Sequence, residues 1–245
     1  MKKFLYIVSF LLITLISFSI IYLSFFGIET SRFNSFVIKE IQKKENELNL
    51  GIKKIKIKID LKNLNLFLST SNPEIAYQNI EIPVREVKIY LRLLSLLKQK
   101  PKIKSAQFSI DKFDIKNLQQ VALKLKPTNF KSYLLNNVKE GIIQKSNIEI
   151  NFNNNSTIED YKINGTIEKT KIIINKDTSI NNLGLNFILS KNLILINSIK
   201  ADYKNILISN GSIDINREKI VEIKGKFDST FELNADKLKK LFSGQ

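Results

Sequence analysis

The sequence predicts a mainly β protein: an elongated, twisted antiparallel sheet forming an apolar groove behind one N-terminal transmembrane helix, with a few short helices. Three observations predict it. Residues Phe4 to Phe26 (FLYIVSFLLITLISFSIIYLSFF) form one apolar run without charge, Pro or Gly. Much of the chain after Ile52 alternates apolar and polar residues with a period of two, as strands with one dry and one wet side do. Helical spacing is rare after the apolar run. A β-sandwich or jelly roll is the alternative, since it too needs one dry face per strand.

The apolar run comes first in order. A helix rises ~1.5 Å per residue, so ~20 apolar residues cross a bilayer core. The h-region of a cleaved signal is shorter, roughly 7–15 residues, and ends in small residues. This run ends Leu23-Ser24-Phe25-Phe26, so residues 1–27 are expected to stay as a signal-anchor. Ser9, Thr14, Ser17, Ser19 and Ser24 are expected to bond to the helix's own carbonyls. Lys2, Lys3 and the α-amine precede the run, and only Arg32 follows it closely. That bias predicts a cytoplasmic N-terminus and an exported body.

Residues 28–49 are expected to hold an amphipathic juxtamembrane helix. Phe33, Phe36, Val37 and Ile41 share one face, and Thr30, Ser31 or Asn34 could cap its start. The sheet domain is expected over 50–245. In it, Ile55, Ile57, Ile59 and Leu61 alternate with lysines and Asp60, and Asn63 shifts the phase before Leu64, Leu66 and Leu68. Ser71-Asn72-Pro73 reads as a loop. Pro83 disfavours a central strand position at the start of Ile80–Leu91, and Pro101 breaks the chain before Ile103 to Ile115. Short helices are expected near 117–140, from Leu118, Val121, Ala122 and Leu125, then Phe130, Leu134 and Val138, with Gly141 as a C-cap. From Ile142 to Leu233 the segments are strand-like, separated by polar turns such as Asn153-Asn154-Asn155 and Asn210-Gly211. The last of them, Val221 to Leu233, places Val221, Ile223, Gly225, Phe227, Ser229, Phe231 and Leu233 opposite Glu222, Lys224, Lys226, Asp228, Thr230 and Glu232. Residues Asp236 to Gln245 read as a short amphipathic end.

An internal repeat of about 60 residues is visible. Ser146–Asn151 resembles Gly211–Asn216, and Tyr161–Glu168 resembles Val221–Asp228.

Composition excludes several kinds of chemistry. The chain has no Cys and no His, which removes disulfides, thiol nucleophiles and the commonest general base and metal ligand. It has no Gly-rich phosphate loop and no G-x-S-x-G elbow. Its carboxylates fall on the polar faces of strands. No catalytic residue, metal ligand or cofactor site is predicted, and the chain is not expected to be an enzyme. The net charge of +16 comes almost wholly from Lys, with Arg only at positions 32, 85, 92 and 217. Lysines alternating along strands make a solvated face, and nucleic-acid readout favours Arg, so no nucleic-acid partner is predicted.

What remains is the dry face. A curled sheet could hold acyl chains on it, and the residues that would line such a groove are Ile55, Ile57, Ile59, Leu61, Ile148, Ile150, Ile163, Ile167, Leu185, Phe187, Val221, Ile223, Phe227 and Phe231. Gly165, Gly225 and Ser229 are expected to leave room or permit bending.

The layout resembles the N-terminal part of the AsmA-like proteins. The resemblance lies in Lys2-Lys3 with one anchor and a short helix, then Ile55–Leu61, then Val87–Leu97 running into a Leu-rich segment. Pro101-Lys102-Ile103, Ile110 to Leu118, Lys139–Ile143 and strands with internal Gly165 and Gly225 follow. It covers most of the chain through patterns rather than invariant residues. It implies an inner-membrane, single-pass protein with a periplasmic β-groove that moves phospholipids toward the outer membrane, with envelope proteins as further partners. It carries no catalytic residues. About ten strands at ~4.8 Å would make a groove of only ~50 Å, so the expectation is either a truncated relative or one that works end-to-end with partners. The competing expectation is an anchored β domain that docks envelope proteins without conducting lipid.

Overall fold

The computed structural model describes residues 2–32, 34–44, 47–62, 65–92, 95, 102–204, 206–218 and 220–231. The fold is mainly β and antiparallel, with one long N-terminal helix and few others. The chain folds as two compact units, residues 1–110 with 148–161, and residues 111–147 with 162–245.

In the first unit, α1 (Lys2–Phe25) contains a 23-residue stretch that is long and apolar enough to cross a membrane. Thr14 and Ser19 bond back to the carbonyls of Phe10 and Leu15 at 2.9 and 2.8 Å, so these hydroxyls are satisfied inside the helix. The rings of Tyr22 and Phe26 stack at its end, 5.4 Å apart. Gly27 follows with φ +73, a left-handed cap that returns its N–H to the Tyr22 carbonyl. A side chain there would strike the Lys58 stem and the Ile57 carbonyl. The chain enters β1 (Ile28–Thr30) at once, and Ile28 pairs with Ile57 of β3 (Ile55–Asp60).

The helix expected within 28–49 forms as α2 (Asn34–Lys44), and strands flank it, β1 before and the start of β2 (Leu48–Gly51) after. Pairing to β3 captures β1, and Asn34 ties α2 back to the Ile52 and Lys53 carbonyls. The Phe33 expected on its apolar face lies outside the described residues. β4 (Asn65–Ser71), β7 (Val84–Leu91) and β8 (Ile103–Ile110) complete the order β1-β3-β4-β7-β8. A second small sheet, β2-β5-β6, contains β5 (Glu74–Tyr77) and β6 (Ile80–Ile82). Pro83 stands between β6 and β7, where the chain leaves one sheet for the other and no ladder donor is needed. The expected phase shift at Asn63 and Leu64, the Leu-rich residues 93, 94, 96 and 97, and Pro101 lie outside the described residues.

The second unit starts with β9 (Phe113–Asp114), α3 (Ile115–Lys124) and α4 (Asn129–Asn137). Asp114 and Thr128 cap the two helices by accepting from the Lys116 and Lys131 N–H groups. Gly141 is not the C-cap that was expected: α4 ends at Asn137 with Val138 as its cap, and Gly141 lies inside β10 (Val138–Phe152). It is needed there because a Cβ would collide with the Thr170 hydroxyl and meet Ile115 at 3.1 Å. β10 and β11 (Ile158–Asn175) have residues in both units. β12 (Thr178–Ser190), β13 (Leu193–Tyr203), β14 (Ile206–Asn216) and β15 (Glu222–Phe231) follow β11 as antiparallel neighbours in chain order. Asn210-Gly211 does not turn; it continues β14 beside a register shift at Ile208/Asn210. The expected amphipathic end at 236–245 lies outside the described residues.

No side chain among the described residues is fully buried. The second unit's core is two small clusters. Ile115, Ala122, Leu134 and Val138 pack with Leu118 and Ile172, and Leu183, Ile199 and Ala201 pack with Ile172, Ile180 and Leu185.

Candidate functional site

Cross-strand partners in an antiparallel sheet point to the same face, so the pairing fixes which residues share one. In the first unit, Ile28, Ile57, Leu68, Ile89 and Ala106 form a transverse apolar row. Ile59, Leu66, Leu91 and Ile103 form the next. The opposite face carries Glu29, Lys56, Ser69, Lys88 and Gln107 in one row and Lys58, Phe67, Tyr90 and Ser105 in another. Lys54 and Lys56 hold Glu29 at 3.3 and 3.5 Å, and Lys88 holds Glu86 at 2.9 Å. Those lysines keep the Glu29 carboxyl below its usual range, chiefly through the Lys54 hydrogen bond and charge. Phe67 and Tyr90 pack on this face 5.2 Å apart, and burial pushes the Tyr90 phenol above its ordinary value.

The second unit repeats this division over longer strands. Ile163, Leu189, Ile194, Ile215 and Ile223 form an apolar row across all five strands from β11 to β15. The adjacent row is Gly165, Phe187, Ile196, Ile213 and Gly225. The repeat seen in the sequence acquires a meaning here, because Ile163 and Ile223 end one row and Gly165 and Gly225 end the other. Of the two glycines expected to leave room, Gly165 does not, whereas a Cβ at Gly225 would come no nearer than 3.3 Å to the Phe227 ring. A Cβ at Gly165 would lie 2.8 Å from the Phe187 ring, and one at Gly211 would lie 2.6 Å from the Phe227 ring. Phe187 and Phe227 thus fill the space beside Gly165 and Gly211.

A line of bulges crosses this face. Lys169, Asn182 and Ser198 have φ of 52, 51 and 54. Register shifts fall between Ile167 and Thr170, between Asn181 and Gly184, and between Ile208 and Asn210. Each bulge adds a residue, bends its strand and changes which parity faces the dry side. On β13 the dry residues are Ile194 and Ile196 before Ser198, and Ile199, Ala201 and Tyr203 after it. α3 and α4 cover the face beyond the bulges, at the end near Thr170 and Ile172.

The predicted candidates therefore fall into two sets. Ile55, Ile57, Ile59, Ile148 and Ile150 belong to the first unit; Ile55 is buried and the others are half-buried. Leu61 is not on the sheet, because β3 ends at Asp60 and Leu61 is exposed in the turn. Ile163, Ile167, Leu185, Phe187, Ile223 and Phe227 share the dry face of the second unit. Phe231 shares it through Ile206 and Tyr203, while Val221 precedes β15 and is exposed. Sequence reasoning missed Leu189, Ile194, Ile196, Ile213 and Ile215, which hold the middle of the rows. Their alternation is present in the sequence, but only pairing shows that they line up. The bulge residues carry a weaker signal: only Asn182 is a residue type that favours positive φ.

No protein-family model, curated protein or solved structure matches the chain. What the fold itself defines is a mainly β protein with one N-terminal helix able to span a membrane and a sheet whose dry face is only partly covered.

Proposed function

We propose that the chain is a single-pass envelope protein of the AsmA-like kind, anchored in the inner membrane by Phe4–Phe26. Its N-terminus is cytoplasmic and its body periplasmic. It binds phospholipid acyl chains on the dry faces of its sheets and conducts them toward the outer membrane. The action is binding and transfer, not covalent chemistry. The observation that carries this reading is the five-strand row Ile163–Leu189–Ile194–Ile215–Ile223. Its first four residues are only half-buried and Ile223 is 67% exposed, although all are aliphatic. A compact soluble domain buries such a row against a second layer, and a contiguous apolar strip left open marks a binding surface. The Gly27 junction adds support. It joins the anchor to the first row with no linker, so the row beginning at Ile28 starts where a membrane-spanning helix ends.

The test uses the full chain in membranes, with a photo-crosslinking residue placed at single positions. Probes at Ile194 and Ile215 are expected to capture lipid acyl chains, and probes at Lys224 and Asp214 on the opposite face are not. Equal capture from both faces, or none from the row, sinks the reading.

A second reading has its own observation. β15 is the last paired strand among the described residues, and all ten of its residues are exposed. Such an edge suits docking of an envelope protein by strand addition. Under it, probes on β15 capture protein and the row captures no lipid.

A further inference from the structure

The apolar rows of the first unit end on β7 and β8 at Leu91 and Ile103, which pair with each other. The neighbouring residues on both strands are cationic. The Arg92 N–H donates to the Lys102 carbonyl at 2.9 Å, so the two stand side by side. Their side chains reach the same turn. Arg92 Nη2 donates to the Phe152 carbonyl, and Lys102 Nζ donates to the Asn154 carbonyl at 2.8 Å. Those carbonyls are two residues apart, and two residues of extended chain span at most ~7 Å. A guanidinium and an ammonium are thus held close together by neutral backbone. Lys104 adds a third cation, with Nζ on the Asn65 side-chain oxygen at 3.3 Å.

No carboxylate among the described residues pairs with any of these three, whereas Lys53, Lys54, Lys56 and Lys88 of the same unit each have one. Arg92 is half-buried, and among the described residues it commits one nitrogen to protein and has its Nε buried without a partner. Grouped cations without a counter-ion favour an anion between them. A guanidinium beside an ammonium suits phosphate oxygens in particular.

We infer that Arg92, Lys102 and Lys104 form a phosphate subsite that takes the headgroup phosphodiester of a lipid whose acyl chains lie on the rows ending at Leu91 and Ile103. The inference rests on the lipid-binding reading above. Arg92 and Lys102 stand just past the strand ends at Leu91 and Ile103, so the cations gather at the end of the apolar row, where the headgroup of a lipid lying along it would emerge.

The experiment uses the full chain, delipidated in detergent, and three probes: phosphatidylglycerol, a diacylglycerol with the same acyl chains, and inorganic phosphate. Wild type is expected to prefer phosphatidylglycerol over diacylglycerol by roughly tenfold or more, the scale of one or two charge-assisted hydrogen bonds. The variant Arg92→Gln/Lys102→Gln/Lys104→Gln is expected to bind both lipids equally while keeping its diacylglycerol affinity. The pair Lys102→Gln/Lys104→Gln, at exposed positions, gives a smaller loss of preference and covers the case in which the Arg92 change unfolds the unit. A preference retained in both variants, or absent in wild type, overturns the subsite and leaves lipid binding standing. Inorganic phosphate bound by wild type without discrimination between the lipids assigns the cluster to free phosphate and overturns the headgroup. Failure of wild type to bind either lipid removes the lipid-binding reading and the subsite with it.

Discussion

Under α3 and α4 the apolar face of the second unit is sealed, with Ile115, Leu134 and Val138 at 4–7% exposure and Leu183, Ile199 and Ala201 buried beside them. Toward β15 the same face runs out into solvent, where Ile223, Phe227 and Phe231 are 67, 49 and 60% exposed. Both regions use the same aliphatic and aromatic residues on strands of the same sheet, so composition does not separate them. The line of bulges at Lys169, Asn182, Ser198 and Ser209 lies between the helix-covered rows and the aliphatic rows ending at Ile223 and Gly225. Helices supply a second layer only beyond it. Coverage by the helices, and not a change of residue type, separates the two regions.

That contrast can be broken or sharpened by substitution. The largest effect is expected in the sealed corner. Leu134→Ala should destabilise the protein by about 2–4 kcal/mol, because the cavity has two helices and β10 around it and little freedom to collapse. Denaturant melting checks it, and a loss well under 1 kcal/mol would mean that the corner is not the unit's core. Gly165→Val, on the open rows, should cost about 1–3 kcal/mol by overpacking, since its Cβ would sit 2.8 Å from both the Lys145 carbonyl and the Phe187 ring. Adding Phe187→Leu should recover part of the loss, because it relieves the ring contact and leaves the carbonyl contact. An undiminished loss would show that the backbone alone sets the glycine.

Ile223→Glu reverses the pattern. At an exposed site it should change stability by no more than ~0.5 kcal/mol, yet it places a carboxylate on the open row and should sharply lower acyl-chain capture by a probe at Ile215. Unfolding by this variant would place Ile223 in a core and end the comparison.

The smallest effect concerns the polar face of the first unit. The Glu29 carboxyl is lowered by Lys54 and Lys56. A lowered folded-state value gives stability that is present above the ordinary glutamate range and is lost as pH falls through the lowered value. A slight acid destabilisation is therefore expected, flattened in Glu29→Gln, and pH-dependent melting of both proteins measures it. An acid limb unchanged in that variant would assign the effect to other carboxylates.

Particular residues explain how much of this molecule is legible in its sequence. The apolar run at Phe4–Phe26 and the strands around Ile55 and Ile223 follow from hydrophobic length and period-two alternation, which are local properties. The helix within 28–49 is legible from its apolar face and forms as α2, whereas β1 is not, because it is three residues long and exists only through its pairing with β3. Gly141 resembles a helix cap because glycine serves both caps and close approaches, and the approach here comes from Thr170 of another strand. Leu61 keeps the alternation of β3 but falls past its end, where the turn begins. The cation cluster at Arg92, Lys102 and Lys104 is hidden among 39 basic residues until two backbone carbonyls bring it together.

By itself, then, the sequence determined the membrane-length helix, the mainly β character and the two-sidedness of the strands, because each depends on spacing along one chain. Tertiary structure alone decided which apolar residues align into rows, where bulges change the dry parity, which part of the face the helices seal, and that Gly27 joins the N-terminal helix to the first row without a linker. Those features depend on register between strands, and a shift of one residue moves every side chain to the opposite face without altering a single local pattern.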